Sequence, residues 1–193
     1  MASSSTAALA RLTMSKAIAP TDPMADAMRR EDIARRSYYG DEAVNMAAKA
    51  NGYSGPIDPV VRHLIHEEGF VEGAYADDVG VTTIGVGQTG EWKDKNLFTE
   101  VVPHFENKSR KVVPGYDELP DNVRGAILSA VYRGDLAKDH KTAKLLRAGK
   151  GVEAAREYLN HREYKDRLAN NPEDGVVKRM QRNARDFATI GQG

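Results

Sequence analysis

The stretch that decides the fold runs from His66 to Gly90 and reads HEEGFVEGAYADDVGVTTIGVGQTG. It combines acidic residues, neighbouring threonines and repeated glycines within a short distance. A solvated hairpin could have this composition, and so could an active site at the junction of a helix and a small sheet. Its acidic residues are Glu67, Glu68, Glu72, Asp77 and Asp78. The question is which of these carboxyls take part in chemistry.

The residues on either side of Gly69 predict a helix followed by a hairpin. In IDPVVRHLIHEEGF, residues 57–70, Asp58 can cap a helix and Pro59 suits its first turn. Apolar residues recur there at helical spacing. The residues beyond are β-branched and interrupted by glycines, which predicts two or three short antiparallel strands between about 74 and 89. A helix end would then hold one carboxyl above a hairpin that carries another.

The chain after Gly90 is helical in pattern. The strongest helix is LPDNVRGAILSAVYRG, residues 119–134, for which Asp121 is the predicted cap. Its predicted buried positions are Val123, Ala126, Ile127, Ala130 and Val131. Further helices are predicted at 99–111, 139–149, 151–165 and 174–189. The sequence therefore predicts an α+β fold with a small antiparallel sheet lobe and a larger helical lobe.

The first 55 residues predict an N-terminal extension. Residues 1–23 are rich in Ala, Ser and Thr, and such a segment buries little apolar surface. Residues 24–37 predict a weakly amphipathic helix, and 41–55 predict a short helix that Asn51 and Gly52 end. We place the domain boundary near residue 55, with the extension at 1–55 and a catalytic domain at 56–193. The extension is either a disordered tail or an arm that orders on a partner.

Composition excludes several classes of site and partner. Lys and Arg total 28 and Asp and Glu total 28, so no strong global field favours nucleic acid or an anionic membrane, and we expect neither as a partner. The absence of cysteine excludes disulfides and thiolate metal sites. The histidines lack zinc-type spacing, so no metal or cofactor is expected. No apolar run reaches membrane-spanning length and no secretory signal is recognisable, so we expect synthesis in a cytoplasm.

Two opposed carboxyl groups across a cleft are what glycoside hydrolysis requires. One remains protonated to donate to the leaving oxygen, which partial burial favours, and the other stays ionised to orient water. Two acids near a glycine-rich hairpin are nevertheless common, and composition alone favours an ordinary solvated hairpin.

The detailed pattern resembles the phage-type lysozymes, which are endolysin muramidases of glycoside hydrolase family 24. Their signature is a Glu, eight residues, an Asp or Cys, five residues, a Thr, and an Ile-Gly-x-Gly-His-type turn. Only Glu68, Asp77 and Thr83 satisfy both intervals. Further matching positions are Gly69, Tyr75, Gly80, Ile84, Gly85, Gly87, Thr89 and Gly90. We interpret the remaining acids of the stretch, Glu67, Glu72 and Asp78, as solvated charges.

This resemblance, which weakens downstream but extends over about residues 58–190, implies a lysozyme-like fold and activity. The implied reaction cleaves the β-1,4 bond between N-acetylmuramic acid and N-acetylglucosamine in peptidoglycan. Glu68 would be the general acid. Asp77 would orient water or stabilise the oxocarbenium-like transition state, and Thr83 would help to hold that water. Members with this pattern are thought to invert the anomeric configuration. Inversion requires room for a water between the two carboxyl groups, which are then roughly 6.5–9.5 Å apart. Implied substrate-binding residues are Tyr75, Thr89, Tyr132 and Thr142.

This sequence differs from the family pattern at several positions, and each difference predicts an effect. Gln88 stands where relatives usually have His, and we expect it to affect stability rather than catalysis. Arg133 stands where relatives have Asn or Gln, which puts one sugar contact in doubt. An Arg beside the catalytic Glu is usual in some members, and Arg179 and Lys178 are both candidates for that place.

The biological setting has several readings. The extension favours an enzyme carried in a phage tail and bound to a phage structural protein through residues 1–55. A free endolysin, made in the host cytoplasm and released to the periplasm through a holin, is the other lysozyme setting. A non-catalytic adaptor with a lysozyme fold and a lytic transglycosylase are the alternatives in function.

Overall fold

A computed structural model describes residues 23–77 and 80–191. The helices are α1 (Pro23–Arg35), α2 (Gly40–Ala50), α3 (Pro59–Glu68), α4 (Val102–Val112), α5 (Asp121–Tyr132), α6 (Lys141–Arg147), α7 (Gly151–Tyr158), α8 (Arg162–Asn170) and α9 (Gly175–Ala188). The strands are β1 (Ser37–Tyr38), β2 (Phe70–Ala76), β3 (Thr82–Gly85) and β4 (Gln88–Thr89). Many helices around one small antiparallel sheet confirm the predicted α+β, lysozyme-like fold.

The sheet has the order β1-β2-β3-β4, and every neighbouring pair is antiparallel. The strands predicted between 74 and 89 are therefore present, although β2 begins earlier, at Phe70. The register of β2 against β3 shifts between Val71 and Ala74, where Gly73 has a φ of 76°. Strand β1 was not predicted, because two residues are too few to show an alternating pattern.

The core is centred on α5, which packs against both α3 and α9, and α7 packs against α9. Helix α3 begins as predicted, because the Asp58 carboxylate accepts a hydrogen bond of 2.7 Å from the Val60 amide. It ends as predicted at Gly69, whose φ of 71° suits glycine. The predicted buried residues of α5 are all fully buried, namely Val123, Ala126, Ile127, Ala130 and Val131.

Two predictions for the helical lobe were wrong in detail. Pro120 takes the capping position of α5 with extended backbone, so Asp121 is already helical and its carboxylate pairs with Arg124 at 3.1 Å. The helix predicted at 151–165 is two helices, α7 and α8. The chain leaves helical geometry at His161, whose φ of −62° and ψ of 139° are extended.

Part of the N-terminal extension packs on the same core as the rest of the chain. The two predicted helices are present as α1 and α2, and Ala43, Val44 and Ala47 of α2 are buried. Helix α2 contacts α3, and β1 pairs with β2. The boundary near residue 55 stays a prediction, and residues 1–22 lie outside the described residues. No helix within 23–77 or 80–191 is long and apolar enough to cross a membrane.

Candidate active site at the junction of helix α3 and the sheet

Glu68 is the last residue of α3, and its side chain turns into the molecule rather than into solvent. Only 8% of the side chain is exposed. Its Oε2 accepts a hydrogen bond of 2.9 Å from the guanidinium of Arg179 on α9, whose side chain is 6% exposed. No described residue hydrogen-bonds the other oxygen, Oε1. One carboxyl oxygen is thus fixed by the helical lobe, and the other is buried without a hydrogen-bond partner among the described residues.

Burial raises the pKa of the Glu68 carboxyl above its ordinary value. The nearby guanidinium groups of Arg179 and Arg133 act in the opposite direction, and burial prevails. A carboxyl in this environment keeps its proton to a higher pH than an exposed one. It is suited to donating a proton, which is the property required of a general acid.

Asp77 directly follows β2 and is held within a tight turn. Its carboxylate Oδ1 accepts a hydrogen bond of 2.7 Å from the Val81 amide, and its own amide donates to the Val81 carbonyl at 2.9 Å. The Gly80 amide donates to the Asp77 carbonyl at 3.0 Å. The side chain is therefore oriented by its own turn, whereas Asp78 and Val79 lie outside the described residues.

Three predicted residues form a row on one face of the sheet. Tyr75 of β2 lies opposite Thr83 of β3, and Thr83 lies opposite Thr89 of β4. Residues directly opposite each other in antiparallel strands place their side chains on the same face. The buried Thr83 hydroxyl donates to the carbonyl of Val81, the residue whose amide binds Asp77. Asp77 and Thr83 thus bind the amide and the carbonyl of the same residue, Val81.

Tyr132, at the end of α5, connects the helical lobe to the turn between β3 and β4. Its hydroxyl donates a 2.6 Å hydrogen bond to the Val86 carbonyl. A Cβ atom on the next residue, Gly87, would lie 3.8 Å from Oε2 of Glu68 and 3.9 Å from the Tyr132 ring. The turn therefore lies directly against the Glu68 carboxyl, and this contact brings the sheet and the predicted acid together.

Glu67 corrects one sequence-based interpretation. We expected a solvated charge, yet its side chain is only 8% exposed. Arg182 of α9 binds both its oxygens, with distances of 2.7 Å to Oε1 and 2.6 Å to Oε2. The reason is that α9 docks against the end of α3 and places Arg179 and Arg182 opposite the two neighbouring glutamates. Glu72, by contrast, is exposed as expected.

The sequence left Arg179 and Lys178 as alternatives for the arginine beside Glu68, and the structure places Arg179 there. Lys178 is directed outward and pairs with Glu173 at 2.5 Å. A signal was present in the sequence, since helical spacing puts Arg179 in line with the apolar stripe of α9 that carries the buried Phe187, eight residues later. A cation beside such a stripe is placed to be buried, and a buried cation requires an anionic partner.

Arg133 and Thr142 lie in the helical lobe. Arg133 follows α5, and its Nε is 3.5 Å from the buried Asp135 carboxylate, which also accepts from the Tyr158 hydroxyl at 3.4 Å. Thr142 lies on α6 and lines a cavity of about 380 Å³ with Asp135 and Tyr158. Among the described residues lining that cavity, none belongs to the hairpin, so the structure does not bring Thr142 to Asp77 and Thr83.

Gln88 is buried and stabilises the chain that follows β4. Its side-chain amide donates to the Trp92 carbonyl at 2.8 Å and to the Lys95 carbonyl at 2.9 Å. These bonds join β4 to the short 3₁₀ turn Gly90–Trp92 and to the residues after it. The contacts are structural in kind, and the expected effect on stability stays a prediction.

Comparison with known proteins gives one match. The family model described as Phage lysozyme matches residues 65–184, which is more than half of the chain. The matched segment contains Glu68, Asp77, Thr83 and Arg179, whereas α1, β1 and α2 precede it. No curated protein and no solved structure matches the chain.

Proposed function

This chain belongs to the phage lysozyme family, and from that membership we propose that it is a muramidase acting on the β-1,4 bond between N-acetylmuramic acid and N-acetylglucosamine. Family membership itself implies a lysozyme-type glycoside hydrolase with peptidoglycan as its substrate. The observation that supports the finer proposal is the buried Glu68 carboxyl, bound by Arg179 and adjacent to Gly87 of the sheet.

In the proposed reaction Glu68 is the general acid. It donates its proton to the glycosidic oxygen as the bond from that oxygen to the anomeric carbon breaks. Positive charge develops on the sugar ring in the transition state, and an ionised Asp77 on the hairpin stabilises it. The raised pKa of Glu68 supports this division of roles, because the acid must be protonated where the other carboxyl is ionised.

Water completes the reaction from the hairpin side. The water oxygen bonds to the anomeric carbon while Asp77 accepts a proton from that water. Thr83 fixes the direction from which the water attacks. The Thr83 hydroxyl hydrogen is directed to the Val81 carbonyl, which leaves the oxygen as an acceptor for the water. Attack from the face opposite the leaving group inverts the anomeric configuration, and this outcome is part of the proposal.

The decisive experiment compares Glu68→Gln with Glu72→Gln. Purified variants are incubated with peptidoglycan sacculi, and soluble products are separated by chromatography and weighed by mass spectrometry. Glu68→Gln should reduce cleavage by about 10³-fold or more, because proton donation is lost while the side-chain shape is kept. Glu72→Gln changes an exposed acid of the same stretch and should cleave as the parent does. Retained cleavage by Glu68→Gln would refute the assignment.

The same products separate the proposal from its alternatives. A muramidase leaves reducing N-acetylmuramic acid ends, whereas a lytic transglycosylase leaves 1,6-anhydro ends. Asp77→Asn should abolish the reducing products, and normal cleavage by Asp77→Asn with anhydro ends would favour the transglycosylase. An unmodified chain that releases no fragments would favour a non-catalytic adaptor.

The setting we propose is bacterial wall opening by a phage, with the enzyme carried in the virion rather than released as a free endolysin. Within the predicted extension, we assign docking on a phage structural protein to residues 1–22, because α2 is packed into the core. Co-sedimentation of the full chain and of residues 23–193 with purified phage tails tests this assignment. Equal binding by both would refute it.

A further inference from the structure

Arg29 of helix α1 and Arg36, the residue that follows the helix, bind the outer edge of β2. Strand β1 pairs only with Phe70 and Val71, so in the described part of the chain no strand borders residues 72–76 on that side. Exposed strand edges need a partner for their backbone groups, and a helix is one way of covering them. At Glu72 the amide donates to the Arg36 carbonyl at 2.9 Å, and the other contacts with this edge come from arginine side chains.

Two arginines, which we call the arginine strap, bind backbone carbonyls along this edge. Arg36 donates from Nη1 to the Glu72 carbonyl at 2.6 Å. Arg29 donates from Nη1 to the Ala76 carbonyl at 3.0 Å and to the Asp77 carbonyl at 2.7 Å. Alternate residues of a strand direct their carbonyls to the same edge, so the strap follows the strand from Glu72 to its end. Its Arg29 end lies on the main chain of the predicted catalytic residue.

The two predicted catalytic carboxyls are held by different parts of the molecule. Glu68 is fixed to α9 through Arg179, whereas Asp77 is fixed within its own turn by Val81. The turn is carried by the end of β2, which is the point that Arg29 binds. A displacement of that strand end would move Asp77 relative to Glu68, because Glu68 is held separately by Arg179. Such displacements are costly, since about 1 Å of misplacement can reduce the rate roughly 10²-fold.

We propose that Arg29 is a positioning residue for Asp77, and that α1 is thereby part of the active-site framework. The proposal rests on the function proposed above. It assigns a catalytic purpose to a helix that lies before the family match, which begins at residue 65. Arg29 does not touch the substrate in this scheme. It acts by holding the main chain from which the Asp77 carboxylate projects.

The test replaces Arg29 by Met, which keeps the length of the side chain but removes the donors, and by Lys, which keeps a charged donor. Arg29→Met should lower kcat about 10- to 100-fold and leave KM within about threefold. Arg29→Lys should recover part of that loss. Arg30→Met is the matched control, since Arg30 is exposed on the same helix, and it should cleave like the parent.

Arg36→Met separates positioning from general support of the sheet edge. It removes the other end of the strap, five residues before Asp77, and should lower kcat far less than Arg29→Met at equal folded fraction. Hydrogen exchange adds a readout that does not depend on activity. The Val81 amide, which binds the Asp77 carboxylate, should exchange faster in Arg29→Met and remain unchanged in Arg36→Met.

The outcomes distinguish the two proposals. If the parent cleaves, Glu68→Gln does not, and Arg29→Met retains the parent kcat, the inference about Arg29 is overturned and the muramidase stands. It is also overturned if Arg29→Met and Arg36→Met lose activity equally. If the parent releases no fragments, both proposals fail together. Should Arg29→Met not fold, Arg29→Gln replaces it, because its shorter side chain cannot reach both carbonyls.

Discussion

The Glu68 carboxyl experiences two opposing influences on its pKa, and single residues determine the balance. Burial raises that pKa, and the guanidinium of Arg179 lowers it. Removing Arg179 leaves burial opposed chiefly by the more distant Arg133, so the pKa of Glu68 should rise further. The carboxyl would then remain protonated to a higher pH, which extends the range over which it can donate a proton.

We therefore expect Arg179→Met to move the basic limb of the kcat/KM profile to higher pH, while the acid limb stays in place. The free energy of unfolding should fall as well, because a buried charge loses its partner. The loss is up to about 3–5 kcal/mol where Glu68 is ionised. The measurement is kcat/KM against pH at a temperature where the variant is folded. Lys178→Met, which alters an exposed neighbour, should leave the profile unchanged. A basic limb that stays in place or moves to lower pH would contradict this account.

Replacing Gln88 should change the stability of the fold and leave catalysis unaffected. Replacing it by Ala removes the donors that satisfy the Trp92 and Lys95 carbonyls and leaves a gap in a buried place. We expect Gln88→Ala to lower the free energy of unfolding by about 1–3 kcal/mol. Urea unfolding measures the change, and cleavage assayed well below the midpoint should stay near that of the parent. Loss of cleavage in a stably folded variant would show that Gln88 has a catalytic role.

At the scale of elements, one glycine sets how closely α5 approaches α3. A Cβ atom at Gly125 would lie 2.5 Å from Cγ of His63 on α3, which is far inside van der Waals contact. Gly125→Ala should therefore destabilise the fold by about 1–3 kcal/mol through overpacking. The matched variant is Gly175→Ala at the start of α9, where nothing lies within 4 Å. It should be neutral or stabilising by about 0.4–1 kcal/mol in the same thermal or urea unfolding measurement.

Elements with strong local signals were predictable from the sequence. Helix α3 has a capping aspartate and a terminal glycine, and α5 has a continuous apolar face. The break between α7 and α8 carries no comparable signal, because Asn160 and His161 are weaker helix breakers than glycine or proline. Strand β1 exists only because β2 offers it an edge, and pairing of that kind is a tertiary effect.

The candidate site shows the same division between local and distant information. Two intervals along the chain select Glu68, Asp77 and Thr83, because the helix end and hairpin that carry them are continuous in sequence. Arg179 is 111 residues from Glu68, and its selection over Lys178 depends on how α9 docks. Glu67 was misread for the same reason, since its burial depends on Arg182. Arg29 reaches Asp77 across 48 residues, and no local pattern predicts that contact.

At the scale of the whole molecule, truncation tests where the enzyme begins. Residues 23–193 keep the strap and the α2 residues of the core, so we expect this fragment to match the full chain in melting temperature and cleavage. Residues 56–193 lack β1 and the buried side chains of α2, of which Val44 alone is worth about 1.5–3 kcal/mol. That fragment should melt much lower or fail to fold. Equal stability of the two fragments would instead support a domain boundary near residue 55.

The pairing of Glu67 and Glu68 with Arg182 and Arg179 also sets when the site can exist during synthesis. The ribosome makes the two glutamates first, and their partners follow 115 residues after Glu67 and 111 residues after Glu68. Synthesis proceeds from the N-terminus, so the nascent chain carries α3 and the hairpin without either arginine until those intervening residues have been added. The buried acid is completed only when α9 emerges and docks. A chain interrupted before Gly175 consequently contains every residue assigned to catalysis and lacks the environment that makes Glu68 an acid.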